Sequence, residues 1–272
     1  MNPKVIAITN QKGGVGKTTT AVSLGVGLAK AGKRVLLIDA DPQGSLTVSL
    51  GIKRQDELEE TLATVLRDVA EDREPSRSVI QTAEGVDFVP ANIELSAFEV
   101  SLFNTMSREF VLKRYIESVK QNYEYVLINC MPSLSMLTVN ALAAADSVII
   151  PSQPNFLSTK GLDLLFKSIA RVKRQINPKL KIDGILFTMV DSRTNNAKSI
   201  IGALRKTVGE NIRVFDTQIP FSVKAAESTV SGKSIFAHDK NGKVAAAYEN
   251  FVKEVLTLEQ RERARSWSDG VR

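Results

Sequence analysis

The stretch that most constrains this chain is residues 10–20, Asn-Gln-Lys-Gly-Gly-Val-Gly-Lys-Thr-Thr-Thr. It follows a short apolar run, Val5-Ile6-Ala7-Ile8, and it opens a segment with the pattern of a helix. A strand, a glycine-rich turn, Lys-Thr and a helix in this order predict a loop that binds phosphate. The general pattern has glycine at position 11, where this chain has Gln11, and this chain carries a second lysine, Lys12.

The residue types of this loop match the chemistry of a nucleotide. Its glycines allow φ > 0 and a close approach of the backbone, so N–H groups at the head of the helix point at an anion. We expect Lys17 to reach the β- and γ-phosphates, Thr18 to bind Mg²⁺, and Thr19 to hydrogen-bond the α-phosphate. The alternative is a glycine-rich turn that binds no ligand. The predicted nucleotide-binding residues of the loop are Lys12, Gly13, Gly14, Val15, Gly16, Lys17, Thr18 and Thr19.

Short apolar runs alternate with amphipathic stretches along the chain, which predicts an α/β fold with a mostly parallel, doubly wound sheet. We expect one domain over residues 1–258 and a charged, flexible tail over residues 259–272. The predicted strands are Val5–Thr9, Val35–Asp39, Val86–Pro90, Tyr125–Asn129, Ser147–Pro151, Ile182–Val190 and Arg213–Ile219. The predicted helices include Thr18–Ala31, Glu57–Val69, Arg108–Gln121, Thr159–Ile176, Ala197–Val208 and Val244–Leu256.

The composition excludes several classes of protein. A single cysteine excludes a disulfide framework, argues against a cluster-holding iron protein, and fits a reducing cytoplasm. No apolar run is long enough to span a bilayer, and we expect no signal peptide, because a predicted strand begins within the first residues. The net charge of +6 favours a polyanionic partner such as DNA, although many basic proteins bind no nucleic acid.

The second lysine makes the loop similar to that of the ParA/MinD family of P-loop ATPases, whose deviant Walker A motif reads Lys-Gly-Gly-x-Gly-Lys-Thr. The resemblance runs from Lys4 to about Leu256, and the short N-terminus is most like the Soj-like ParA type. It implies ATP and Mg²⁺ as cofactors and an ATP-dependent sandwich homodimer, in which Lys12 crosses to the partner's nucleotide. The alternative for Lys12 is a solvated loop lysine.

A second motif, Asp39-Ala40-Asp41-Pro42-Gln43-Gly44, closes the second predicted strand. Ligands of such sheets bind at the carboxyl ends of the strands, where these carboxylates lie. The motif resembles the family's switch I. The resemblance implies that Asp41 positions or activates the attacking water and that Asp39 lies near the Mg²⁺ shell. Both aspartates could instead cap a turn.

The third motif, Val126-Leu127-Ile128-Asn129-Cys130, resembles the family's Walker B strand, but Asn129 stands where the family has aspartate. The amide keeps the shape and loses the charge and one acceptor. Loss of such a partner of metal-bound water costs ~10–100-fold in affinity or activity, so we expect ATP binding to survive and hydrolysis to weaken. The swap is either natural or a deliberate substitution; our hypothesis is that it traps the ATP state. We interpret Cys130 as a buried, apolar residue.

Later segments carry looser expectations. Asp191 and Pro220 resemble family positions near the base and ribose, and a turn role is the alternative for each. Basic residues of the C-terminal half are candidates for contacts with DNA phosphates, although each could belong to an ordinary solvated face. Phe221 stands where the partition branch commonly has arginine, which argues against a DNA contact there. The DNA-binding candidates are Arg193, Lys198, Arg205, Lys206, Lys224 and Lys233.

Two functions compete for this ATPase cycle. The first is partition of a plasmid, chromosome or mobile element by a cytoplasmic, nucleoid-associated dimer that binds DNA non-specifically. In this function a ParB-like centromere-binding protein stimulates hydrolysis. The second is a MinD-like spatial regulator at the membrane. The mixed charges after Leu258 leave no apolar face for lipid, so we favour partition without a membrane partner. A metabolic or metal-delivery ATPase would need a substrate site or further thiolates.

Overall fold

The computed structural model describes residues 3–76, 78–191, 193–209 and 212–269; within these ranges, the side chains of 156–160, 195, 196, 262, 263 and 265–269 are not described. The strands are β1 (Lys4–Ile8), β2 (Val35–Ala40), β3 (Ile80–Gln81), β4 (Asp87–Val89), β5 (Tyr125–Cys130), β6 (Ser147–Ser152), β7 (Lys181–Val190) and β8 (Val214–Pro220). The helices are α1 (Lys17–Lys30), α2 (Ser45–Ser49), α3 (Leu62–Ala70), α4 (Glu94–Ser101), α5 (Val111–Val119), α6 (Met136–Ala144), α7 (Phe156–Gln175), α8 (Asn195–Val208), α9 (Val223–Ser231), α10 (Ile235–His238) and α11 (Lys243–Asp269).

These strands form one sheet in the order β3-β4-β2-β5-β1-β6-β7-β8. The neighbours from β4 to β8 are parallel, and β3 pairs antiparallel with β4 at one edge. The register places Asn129 opposite both Ile8 of β1 and Asp39 of β2. Residues far apart in the sequence therefore meet at the carboxyl edge of the central strands.

Side chains of the central strands pack alternately on the two faces of the sheet. In β2, Leu36 and Ile38 belong to one apolar core, and Val35 and Leu37 belong to the other. The first core also contains side chains of α3, α5, α6, α7 and α8, and the second contains those of α1, α10 and α11. A strand buried on both faces explains the continuous apolar run in the sequence. The predicted doubly wound α/β fold is confirmed.

Two predicted helix boundaries differ from the structure by more than three residues. The helix predicted from Glu57 begins at Leu62, because Thr61 and Thr64 form a capping box in which the Thr64 hydroxyl accepts a hydrogen bond from the Thr61 N–H at 2.9 Å. The helix predicted to end at Leu256 continues to Asp269.

The C-terminal extension includes part of the predicted tail. Glu259 is buried, and its carboxylate accepts a hydrogen bond from the Tyr125 hydroxyl of β5. Through this long-range contact, the first residue of the predicted tail packs against the sheet. Residues 259–269 are therefore helical rather than irregular, and their flexibility stays a prediction.

Candidate nucleotide site

The glycine-rich loop joins the end of β1 to the start of α1 at the carboxyl edge of the sheet. Gly14 and Gly16 have φ of 68° and 81°, in the left-handed region that side chains disfavour. A Cβ added at Gly13 or Gly14 would meet no atom within 4 Å, so open space lies in front of this backbone. The loop therefore has the conformation and the access that a phosphate group needs.

Side chains from the ends of β6 and β7 hold this loop in place. The Thr188 hydroxyl donates to the Val15 carbonyl at 2.8 Å, and the Gln153 amide donates to the Gly14 carbonyl at 3.1 Å. Asn10 accepts from the Lys12 N–H at 3.0 Å and donates to the Pro151 carbonyl at 2.8 Å. Asn10, Gln153 and Thr188 are not among the predicted site residues, and each lies within two residues of a predicted strand end.

Lys17 lies inside the loop. Its side chain is buried, and its Nζ donates to the backbone carbonyl of Lys12 at 3.0 Å. Burial lowers the pKa of Lys17, while the nearby Asp41 carboxylate acts in the opposite direction. Phosphate oxygens would restore the solvation that this ammonium has lost, so its position fits a phosphate ligand. Thr18 and Thr19 follow in the first turn of α1 and are half-buried.

Lys12 lies at the rim of the same loop. It is half-buried, and its Nζ donates to the Asn155 side-chain carbonyl at 3.2 Å. In the single chain, this side chain therefore rests against its own subunit. Its predicted reach across a dimer interface stays a prediction.

Asp39 is fully buried, and protein groups satisfy both of its carboxylate oxygens. Its Oδ2 accepts from the N–H and the hydroxyl of Thr47, each at 2.9 Å, and its Oδ1 accepts from Asn129 Nδ2 at 3.1 Å. The Thr47 hydroxyl in turn accepts from the Ala91 N–H at 2.9 Å. Burial raises the pKa of Asp39 to about 6. Asp39 thus ties β2, α2 and the end of β4 together.

The contact with Asp39 fixes the orientation of the Asn129 amide. A carboxylate only accepts hydrogen bonds, so the Asn129 NH₂ must face it and Oδ1 must point elsewhere. That Oδ1 is buried and has no hydrogen-bond partner among the described residues. The amide thus keeps one free acceptor at the position where the family has a carboxylate, but it lacks the negative charge.

Two further residues adjoin this cluster. Asp41 is buried, and its Oδ1 accepts from the Gln43 N–H at 3.0 Å in the turn after β2. Cys130 is buried, and burial raises the pKa of its thiol to about 12. The thiol is therefore uncharged at neutral pH, in agreement with its interpretation as an apolar residue. Among the residues that the structure describes, no group of three or more His, Cys, Asp or Glu could hold a metal ion.

Among the described residues, no hydrogen bond or ion pair joins Asp191 or Pro220 to the glycine-rich loop. The Arg193 guanidinium binds Asp191 through two hydrogen bonds of 2.9 and 2.8 Å and lowers the pKa of that carboxyl to about 2. Pro220 lines a cavity of about 360 Å³ together with Val190 and Asn250. A larger cavity, of about 820 Å³, lies at the opposite edge of the sheet, beside the start of β2.

The six predicted DNA contacts fall into two groups. Arg193, Arg205 and Lys224 each pair with a carboxylate, the last two at 3.3 Å from Asp216 and 3.1 Å from Glu227. The other three are exposed lysines, and they are Lys198, Lys206 and Lys233.

Comparison with known proteins places the chain in a family. Residues 3–182 match a family model described as an AAA domain. The chain is 45% identical over 252 residues to the sporulation initiation inhibitor protein Soj of Bacillus subtilis, an alignment that covers 93% of this chain and 98% of Soj. It is 40% identical over 270 residues to the chromosome partitioning protein ParA of Caulobacter vibrioides, which covers 97% and 98% of the two chains.

The chain belongs to the ParA/MinD family and is Soj-like. The predicted family is therefore confirmed, and with it a P-loop ATPase of the ParA type. A cobyrinic acid a,c-diamide synthase from Mycobacterium smegmatis, with bound ADP and magnesium, superposes with a TM-score of 0.80 at 36% identity and covers 98% of this ParA-like chain and 96% of its own. A plasmid partition protein from Borrelia burgdorferi, bound to AMPPNP, gives 0.78 at 25% identity and 94% and 99% coverage.

No described helix of this ParA-like chain combines the length and the apolar character that crossing a membrane requires.

Proposed function

We propose that this protein is a partition ATPase that forms an ATP-dependent sandwich dimer on DNA. In this function the dimer binds duplex DNA non-specifically on the nucleoid, in the cytoplasm, and segregates a plasmid, chromosome or mobile element. A ParB-like centromere-binding partner stimulates hydrolysis and releases the dimer. The observation that carries the proposal is the second lysine, Lys12, at the rim of a phosphate loop in a chain similar to Soj and ParA.

The residues of the site fit Mg·ATP. The N–H groups of the loop, Lys17 and the hydroxyls of Thr18 and Thr19 would hold the phosphates and the ion. Mg²⁺ neutralises charge on the phosphate oxygens when it is bound. Because no carboxylate cluster of the described residues could hold a metal by itself, the ion would depend on Thr18, phosphate and water.

Three side chains around the loop have distinct roles in this proposal. Asp41, in the turn after β2, orients the water that attacks the terminal phosphate. Asp39 holds Thr47 and Asn129 in position, close to the ion but with its own oxygens already paired. The Oδ1 of Asn129, which has no partner among the described residues, would accept a hydrogen bond from a water bound to the ion.

Hydrolysis by this site is slow in our proposal. A carboxylate at position 129 would add a negative charge beside the ion, whereas the amide offers a neutral acceptor. Binding of the nucleotide depends mainly on the loop, so it survives the exchange. The ATP-bound dimer would thus be long-lived, and the partner protein would matter more for its release.

The dimer requires Lys12 to leave its own subunit. Within its own subunit, its Nζ donates to the neutral side-chain carbonyl of Asn155 at a half-buried site. A contact with the phosphates of the partner subunit's nucleotide would be stronger, because both the donor and the acceptor are then ionised. ATP would therefore favour the dimer more than ADP does, and a difference in DNA affinity between the two states makes the cycle a switch.

The membrane alternative is less well supported. Phe251, Val252 and Val255 of α11 are buried against the sheet and α1, so they offer no apolar face to a lipid surface. The likeness to a cobyrinic acid a,c-diamide synthase leaves a metabolic ATPase as a fold-level analogy, because the fold hosts unrelated functions.

Size-exclusion chromatography with ATP and with ADP tests the dimer. We expect a dimer with ATP and Mg²⁺, a monomer with ADP, and a monomer in both states for Lys12→Ala. Lys53→Ala, which removes an exposed lysine elsewhere, is the matched control and should dimerise normally. A wild-type protein that stays monomeric with ATP would refute the sandwich.

Binding to random duplex DNA and to anionic liposomes, with ATP present, separates partition from the membrane alternative. We expect binding to DNA that weakens steeply with salt, because phosphate contacts release counterions. Binding to liposomes alone would refute the partition function.

A further inference from the structure

Helix α7 presents a basic surface that contains none of the six predicted DNA contacts. Its inner side chains, Leu162, Leu165, Ile169 and Val172, are buried in the core of the sheet. Its outer side chains include Lys167, Arg171 and Arg174, all exposed. Residues four and three apart lie one above the other on a helix, so these cations form one row, which we call the α7 stripe.

The cations of the α7 stripe have no acidic partners among the described residues. None of the three takes part in an ion pair there, and the one acidic residue in residues 161–175 is Asp163, one turn before Lys167. Arg193, Arg205 and Lys224, by contrast, are each neutralised by a carboxylate. Among the described residues, three cations outside any ion pair therefore lie in one row on α7, whereas three of the six predicted DNA contacts are paired with a carboxylate.

Exposed cations of α8 lie on the same side of the sheet as the α7 stripe. Helices α7 and α8 follow β6 and β7, which are adjacent strands, and both pack in the same core cluster on one side of the sheet. Lys198 and Lys206 of α8 are exposed on that side. The α7 stripe and these two lysines therefore lie on the side of the sheet opposite α11.

We propose that the α7 stripe binds the phosphates of duplex DNA, and this inference rests on the proposed partition function. Neighbours in the stripe lie about 5–6 Å apart, a spacing that lets successive cations follow a phosphate backbone. Such contacts fix position without reading sequence, as non-specific binding requires. A lipid surface fits less well, because Leu164 is the one large apolar side chain exposed on the described part of α7.

The dependence of DNA affinity on salt tests the stripe. We compare the wild type with the triple variant Lys167→Gln, Arg171→Gln, Arg174→Gln, using a random duplex with ATP and Mg²⁺. Each lost phosphate contact lowers the slope of log K against log salt by about 0.9, so three contacts predict a slope shallower by about 2.7 and weaker binding at every salt concentration. Arg171→Lys with Arg174→Lys keeps the charge and should keep the wild-type slope.

The matched control is Lys53→Gln, Lys240→Gln, Lys253→Gln, which removes the same charge from exposed positions outside α7 and α8. It should leave the slope within about one of the wild type. An unchanged slope in the stripe variant, or an equal loss in the control, would overturn the stripe while the partition function stands. Absence of DNA binding by the wild-type dimer would overturn both. A stripe variant that loses binding to anionic vesicles but keeps DNA would also overturn the inference.

Discussion

At the scale of single residues, the pair of Asn129 and Asp39 decides the electrostatics of the site. The register of β2 and β5 places the two side chains opposite each other, and the amide of Asn129 donates to the Asp39 carboxylate. With aspartate at position 129, two buried carboxylates would face each other and would share a proton or need a cation between them. Asparagine removes that repulsion, and it removes the negative charge that would attract Mg²⁺.

The variant Asn129→Asp tests whether the missing negative charge slows hydrolysis. We expect it to raise ATP turnover by about 10–100-fold, the usual effect of a side chain that hydrogen-bonds a ligand of the metal. Asn129→Ala removes the free Oδ1 acceptor as well and should lower turnover below that of the wild type. Steady-state phosphate release measures turnover, and thermal unfolding checks that each variant is folded. An unchanged rate for Asn129→Asp would contradict the trapping hypothesis.

At the scale of elements, the C-terminal helix shows how one long-range contact extends a local structure. The sequence after Leu258 is charged and has no apolar periodicity, so local patterns predict the end of a helix there. In the structure, Glu259 reaches Tyr125 of β5 and α11 continues. A buried phenol hydroxyl and a buried carboxylate each need hydrogen bonds, and these two side chains form one with each other.

Removal of one partner should therefore cost stability. Glu259→Ala deprives the Tyr125 hydroxyl of this hydrogen bond, and we expect a loss of about 1–3 kcal/mol in the free energy of unfolding. The double variant Tyr125→Phe, Glu259→Ala should recover part of that loss, because no polar group is then left without this partner. Urea denaturation measures both. A cost below about 0.5 kcal/mol for Glu259→Ala would mean that the contact does not stabilise the fold.

At the scale of the whole molecule, stability should depend on pH through the buried carboxylate of Asp39. Burial raises its pKa to about 6 in the folded chain, above the ordinary value of 3.8. The folded state then binds a proton more tightly than the unfolded state. The contribution of Asp39 is fully present below about pH 4 and is lost as the pH rises through about 6, by up to about 3 kcal/mol.

Chemical denaturation from pH 4 to pH 7, without nucleotide and Mg²⁺, measures this dependence. Asp39→Asn is the matched variant, since its Oδ1 can accept from Thr47 while the Asn129 amide rotates to accept from its NH₂. We expect the difference in unfolding free energy between variant and wild type to grow in favour of the variant as the pH rises. A constant difference would show that Asp39 titrates normally in the folded protein.

Local sequence patterns suffice to predict the fold class and the phosphate loop, because both follow from the order of neighbouring residues. The apolar run before residue 10 and the positions of Gly14, Gly16 and Lys17 require a strand, a left-handed turn and a cation at the head of a helix. Which polar groups meet depends on the tertiary structure. Asn129 and Asp39 are 90 residues apart, Tyr125 and Glu259 are 134 apart, and Arg205 pairs with Asp216 of a neighbouring strand. Such contacts depend on strand order and register, which local patterns do not contain.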